Sequence, residues 1–142
     1  MEDSPEALME LKSNVSRETI NKLDVYRSLI LAEKQSLISK KDKNFLWIRH
    51  FYDSLRISDL IRENKQNIID IGSGSGLPGI PLSLFYNGEN SIFLCENTIK
   101  KTQVFSIMSS ENSIEPMVFH FFERKHNQTN GFSTFLSENT IK

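Results

Sequence analysis

The stretch that most constrains the fold is residues 68–81, in which a short apolar segment runs into a glycine-rich turn. The segment 68–71, Ile-Ile-Asp-Ile, is typical of a β-strand. Glycine adopts positive φ angles and lets a ligand approach the backbone closely. A helix that follows the turn would direct its free N–H groups and its positive dipole end at a ligand over the turn. The pattern therefore predicts a strand, a nucleotide-type binding turn and a helix. The glycines of the turn are Gly72, Gly74 and Gly76.

Two helices are predicted before this turn. Ser16 can cap the first helix, whose apolar stripe includes Ile20, Leu23 and either Tyr26 or Arg27. The second helix is predicted over residues 45–61, with Phe45, Ile48, Phe51 and Leu55 on its apolar side.

Two strands are predicted after the turn. Residues 91–95 form the first of them, a helix follows over residues 100–109, and residues 117–122 form a third strand. The chain is therefore predicted to be α/β, a Rossmann-like unit with N-terminal helices and an incomplete parallel sheet.

These elements divide the chain into four segments. Residues 1–14 are expected to be a tail, residues 15–66 a basic helical segment, and residues 67–122 the cofactor-binding unit. Residues 123–142 are expected to be a degenerate tail, because residues 133–142 repeat residues 91–100 at eight of ten positions.

The net charge of −1 conceals a basic region. Residues 11–56 contain ten Lys or Arg and five Asp or Glu. Such a surplus suits contact with a polyanion such as RNA, although a solvated helical face has the same composition.

The sequence contains no pattern typical of a membrane-spanning or metal-binding protein. The chain contains no apolar run of about 18 residues, so no membrane span is predicted. The single Cys95 excludes an internal disulfide and a cysteine metal site, and no His-Glu-x-x-His pattern indicates zinc. The N-terminus lacks a signal-peptide pattern, and we expect a cytoplasmic protein.

The glycine turn is followed by an acid at an informative distance. Glu96 lies 20 residues after Gly76, where a carboxylate accepts hydrogen bonds from a ribose diol. A dinucleotide would bring a pyrophosphate to the helix end, whereas S-adenosylmethionine, with its amino-acid tail, would meet acids such as Asp70. We therefore favour S-adenosylmethionine over NAD. The alternatives are an NAD-dependent oxidoreductase, and a merely structural turn with a surface acid.

Three stretches resemble one family. Residues 70–82, Asp-Ile-Gly-Ser-Gly-Ser-Gly-Leu-Pro-Gly-Ile-Pro-Leu, resemble the cofactor loop of the ribosomal RNA small subunit methyltransferase G family. Residues 46–55 resemble its Arg-His-x-x-Asp-Ser helix, and residues 36–39 stand at its Asn-Leu-Val-Ser position. The resemblance covers residues 15–116.

The resemblance implies a class I methyltransferase fold that uses S-adenosylmethionine. It further implies methylation of N7 of a guanine in small-subunit ribosomal RNA, with the 30S subunit as partner. By position, Gly72 and Leu77 would contact the cofactor in the loop and Glu96 would contact its ribose. No catalytic residue is assigned, and His50 is expected to have a structural role. The full predicted cofactor site is Asp70, Gly72, Ser73, Gly74, Gly76, Leu77 and Glu96.

The chain departs from the family in one important respect. The family's Ser-Arg-Ala-Phe motif on the fourth strand and its later Lys-Gly segment do not occur within the 142 residues. The comparison predicts a truncated chain with little or no activity. The alternative to an enzyme is a non-catalytic remnant that binds RNA or cofactor.

Overall fold

The computed structural model describes residues 2–33, 37–61, 65–87 and 89–95. Helical elements precede two strands that are joined by one helix. The helices are α1 (Pro5–Leu11), α2 (Arg17–Ala32), a 3-10 turn (Asp42–Asn44), a π-helix (Leu46–Tyr52), α3 (Asp53–Arg56), a second 3-10 turn (Ile57–Leu60) and α4 (Gly79–Tyr86). The strands are β1 (Asn67–Ile71) and β2 (Ser91–Cys95).

The two strands form a parallel pair. Asn67 is opposite Ser91 and Ile71 is opposite Cys95, so the carboxyl ends of both strands lie at the same edge. Parallel strands need a crossover connection, and α4 lies in the crossover between them. The predicted α/β class and the parallel order of these strands are confirmed. The predicted helix 100–109 and third strand 117–122 lie outside the described residues.

Residues 1–14, which the sequence predicted to be a tail, contain the helix α1. Ser4 accepts a hydrogen bond from the Ala7 amide at 3.2 Å, and Pro5 occupies the first helical turn, so α1 has a well-formed start. Leu8 is fully buried in the core. Two apolar residues within this acidic segment, Ala7 and Leu8, are buried and anchor it.

Helix α2 follows the sequence prediction closely. The Ser16 hydroxyl accepts from the Thr19 amide at 3.0 Å, as predicted for a cap. Of the two alternatives at the centre of the stripe, Tyr26 is fully buried and Arg27 is only partly buried. The buried residues of this helix are Thr19, Ile20, Leu23, Tyr26 and Ile30.

The second predicted helix exists, but the prediction of which residues are buried at its start was wrong. Residues 46–52 form a π-helix, whose i→i+5 hydrogen bonds shift side chains relative to an α-helical stripe. Leu46 and Trp47 are therefore buried, whereas Phe45 is 51% exposed. Phe51 and Leu55 lie in the core as predicted.

Helix α4 is apolar on nearly all sides and lies at the centre of the molecule. Its residues from Gly79 to Leu84 are buried, and it packs against α2, α3 and β2. A helix without a polar face is stable only when it is covered on several sides. The N-terminal helices thus cover α4 and hold the start of this helix beside the glycine turn. Among the described residues, no helix is long and apolar enough to cross a membrane.

Candidate cofactor-binding site

The glycine turn has a backbone that ordinary residues adopt only with strain. Gly72, Gly74 and Gly76 have φ values of +76°, +56° and +97°. A Cβ atom added at Gly72 would meet no heavy atom of the described residues within 4 Å. The three glycines therefore form a cradle that is open at Gly72 within this part of the chain, as a ligand-binding turn requires.

The turn is fastened to the end of β2. The amides of Gly72 and Ser73 both donate to the carbonyl oxygen of Cys95, at 2.7 and 3.1 Å. This double hydrogen bond joins the carboxyl ends of the two parallel strands. Glu96, the predicted ribose ligand, is the next residue along the chain and lies outside the described residues.

Asp70 caps the helix that follows the turn. Its Oδ2 accepts a 3.0 Å hydrogen bond from the Gly79 amide, the first residue of α4. Burial raises the pKa of this carboxyl, and the Gly79 hydrogen bond partly opposes that rise. The close approach requires glycine at position 79, because an added Cβ would lie 2.1 Å from Leu94 Cδ2 and 2.9 Å from Asp70 Oδ2.

The donors at the start of α4 are already used within the protein. Asp70 takes the Gly79 N–H, and the carbonyl of Gly76 takes the Ile80 N–H at 2.7 Å. Pro81 has no N–H to offer. A dinucleotide pyrophosphate needs free N–H groups at this position and would also meet the Asp70 carboxylate. The geometry therefore disfavours NAD and favours a ligand that is neutral or cationic near Asp70.

A buried hydroxyl remains available in the turn. The Ser73 Oγ is buried and has no hydrogen-bond partner within the described part of the chain. Buried polar groups are usually paired, so an unpaired one points to a ligand. Open space at Gly72, an unpaired Ser73 hydroxyl and a carboxylate at Asp70 fit an adenosyl cofactor with a polar amino-acid tail.

The structure brings most of the predicted site together on one turn. Asp70 lies in β1, and Gly72, Ser73, Gly74, Gly76 and Leu77 lie between β1 and α4. The Nε2 of His50 lies 4.0 Å from Asp42 Oδ2 and has no hydrogen-bond partner among the described residues. The structural role of His50 stays a prediction. Among the described residues, no group of three or more His, Cys, Asp or Glu residues could hold a metal ion.

Sequence reasoning missed the residues that support the turn from outside. The Tyr26 hydroxyl contacts the Ser75 carbonyl, and the Cys95 carbonyl holds two loop amides. The sequence offered Tyr26 only as one alternative in a helical stripe. No sequence pattern predicts which partner the hydroxyl of a buried tyrosine will bind. The role of Cys95 comes from its backbone, which any residue would supply.

A strand, a glycine-rich turn and a helix, followed by a parallel strand, define an α/β unit with a parallel sheet. The sequence model of the family described as rRNA small subunit methyltransferase G matches residues 19–129. The chain belongs to this family.

Individual relatives agree with this membership. The ribosomal RNA small subunit methyltransferase G of Paramagnetospirillum magneticum is 34% identical over 99 residues, which are 68% of this chain and 47% of that protein. The protein of the same name from Rickettsia africae is 38% identical over 89 residues, 61% of this chain and 45% of its own length. That from Orientia tsutsugamushi strain Boryong is 34% identical over 95 residues, 66% and 47% respectively. The chain spans about half the length of these curated relatives.

Proposed function

We propose that the protein is an S-adenosylmethionine-dependent methyltransferase of small-subunit ribosomal RNA, with N7 of a guanine as the methyl acceptor. The cofactor assignment rests on the first turn of α4, whose N–H groups are already hydrogen-bonded within the protein beside the Asp70 carboxylate. This arrangement favours an adenosyl amino acid over a dinucleotide. Membership of the family supports the substrate. We expect the protein to act in the cytoplasm on the 30S subunit or its precursors.

The proposed roles of the residues follow from their positions. Gly72, Gly74 and Gly76 form the cradle, and Ser73 offers a hydroxyl to the cofactor. Asp70 favours the cationic amino group of the cofactor by its charge. The proposed role of Glu96 with the ribose is supported by its place directly after Cys95, whose carbonyl is bonded to the turn. Leu77 follows the last glycine and would contact the cofactor from the loop.

The proposed methyl transfer does not need a strong general base. When bound, the cofactor supplies an activated methyl group, and N7 of guanine carries a free lone pair with no proton to remove. Orientation of the acceptor and exclusion of water can therefore supply much of the rate enhancement. We assign no catalytic residue, and His50, which faces Asp42, has no role in proton transfer in this proposal.

The proposal is tested by methyl transfer. Small subunits lacking the modification are incubated with the protein and methyl-labelled S-adenosylmethionine, and the labelled nucleotide is mapped in the RNA. Label at guanine N7 supports the proposal, and fully modified subunits, which should take up no label, are the control. Binding of cofactor and RNA without turnover would instead support a non-catalytic binding module. The comparisons do not favour that second reading.

A further inference from the structure

One aromatic side chain stands apart from the others in the described structure. Eight aromatic residues occur among residues 2–33, 37–61, 65–87 and 89–95, and Phe45 is the one that is exposed. Tyr26, Trp47 and Phe51 are packed in the core. A phenylalanine ring in water forgoes the free energy that burial would give, and contact with a planar partner would recover part of it.

The ring lies within a compact bend that carries several cations. The Phe45 amide donates to the Asp42 carbonyl at 2.9 Å, and the Phe45 carbonyl accepts from the Arg49 amide at 3.0 Å. The Arg49 guanidinium reaches back to Asp42 Oδ1 at 3.1 Å and remains 65% exposed. Asp42 is further held by the Ser39 hydroxyl at 2.7 Å. These contacts hold Asp42, the Phe45 backbone and Arg49 together in one bend.

The charge of this bend is strongly positive. Residues 39–50 contain four Lys or Arg and one acid, Asp42. The pKa of Asp42 is lowered, first by the Ser39 hydrogen bond and then by the nearby side chains of Arg49, His50 and Lys41, so these side chains lie close to the Asp42 carboxylate. We define the Phe45 surface as Lys40, Lys41, Lys43, Phe45 and Arg49.

We propose that the Phe45 surface binds single-stranded RNA, with the Phe45 ring stacked on an unpaired base and the surrounding cations on the flanking phosphates. A ring beside cations is the combination used for single-stranded nucleic acids, since every base has a face on which an aromatic ring can stack. A base paired within a duplex is not available to the ring. The proposal rests on the proposed function, because it identifies where the ribosomal RNA substrate is held.

The test uses the full chain, a short mixed-sequence single-stranded RNA and the same strand in a duplex. Stacking on one base contributes about 1–3 kcal/mol, so Phe45→Ala should weaken single-strand binding about 5- to 100-fold and leave its salt dependence unchanged. Replacing Lys40, Lys41 and Lys43 by Gln should instead lower the slope of log K against log salt by about 0.7 for each phosphate contact removed. Leu60→Ala, at a side chain that is 79% exposed, is the control and should change nothing.

A spectroscopic variant reports the stacking itself. Trp47 is only 3% exposed, so the indole of Phe45→Trp would be the exposed one of the two. RNA should quench the fluorescence of this variant and leave that of the unaltered protein nearly constant. Equal RNA affinity of Phe45→Ala and the unaltered protein, or equal dependence of duplex binding on Phe45, would overturn the proposed surface while the proposed function stands. Failure of the unaltered protein to bind RNA would overturn both.

Discussion

The Tyr26 hydroxyl donates a 2.7 Å hydrogen bond to the carbonyl oxygen of Ser75, so a helix outside the α/β unit holds the middle of the glycine turn. Tyr26 is fully buried and stacks on Phe51, with ring centroids 5.7 Å apart. Burial raises the pKa of Tyr26 far above its usual value, so the hydroxyl keeps its proton and remains a donor. The N-terminal helices therefore set the shape of the turn as well as covering α4.

Replacing Tyr26 by Phe should remove this support and keep the ring stack. Because the Ser75 carbonyl loses its buried donor, we expect the free energy of unfolding to fall by about 1–3 kcal/mol. Urea unfolding measures it, together with S-adenosylhomocysteine affinity, which should also fall. Tyr86→Phe is the matched control, because the Tyr86 hydroxyl is buried and has no hydrogen-bond partner among the described residues. Similar losses in both variants would contradict a specific role for the Tyr26 hydroxyl.

Gly79→Ala should damage the site by steric conflict. The new methyl would lie 2.1 Å from Leu94 Cδ2, and overpacking of a core costs about 1–3 kcal/mol. We expect lower stability and weaker cofactor binding, because Asp70 and the helix start must move apart. Leu94→Ala alone should cost about 2–5 kcal/mol, and the double variant should lose less than the sum, since the shortened side chain makes room. Additive losses in the cycle would show that the two positions do not collide.

Asp70→Asn should make the protein more stable at neutral pH and a poorer binder of cofactor. The pKa of Asp70 is raised in the folded state, so the folded protein holds this proton more tightly than the unfolded chain. The free energy of unfolding therefore falls as pH rises from the unfolded pKa, about 3.9, to the folded pKa, and stays low above it. Asn removes this loss and can still accept from Gly79. Loss of a hydrogen bond to a charged group should weaken S-adenosylhomocysteine binding about 10- to 100-fold.

Unfolding measured from neutral to acid pH checks the sign. The advantage of Asp70→Asn should shrink as pH falls through the folded pKa of Asp70. Asp42→Asn is the opposite control, because the Ser39 hydrogen bond and nearby cations lower the pKa of Asp42. That variant should be less stable than the unaltered protein at neutral pH, and the difference should vanish in acid. A stabilising effect of Asp70→Asn that is independent of pH would contradict the assigned cause.

The elements with a local sequence cause could be predicted. The Ser16 cap, the positive φ of Asn87 at +48° and the run from β1 into the glycine turn all depend on residues close together in the chain. The positions that the sequence did not predict correctly depend on contacts between residues that are distant in the sequence. Asp3, in the predicted tail, accepts hydrogen bonds from the amides of Trp47 and Ile48 at 3.2 and 2.9 Å. No local sequence pattern predicts such a cap.

The same distinction applies to the ion pairs and to the site. Arg49 and Asp53 have the spacing of a helical ion pair, yet Arg49 contacts Asp42 and Asp53 contacts Arg56 at 3.8 Å. A π-helix over residues 46–52 alters the four-residue spacing that an α-helical ion pair requires. For Asp70, the sequence indicated an acid at the turn. Only the fold shows that this acid occupies the first N–H of α4 and so disfavours a pyrophosphate.

The central claim is that the turn accepts an adenosyl amino acid and not a dinucleotide. Isothermal titration calorimetry of the unaltered protein with S-adenosylhomocysteine, and separately with NAD, tests it most directly. We predict saturable heat with S-adenosylhomocysteine at one site and none with NAD. Saturable heat with NAD, and none with S-adenosylhomocysteine, would contradict the account.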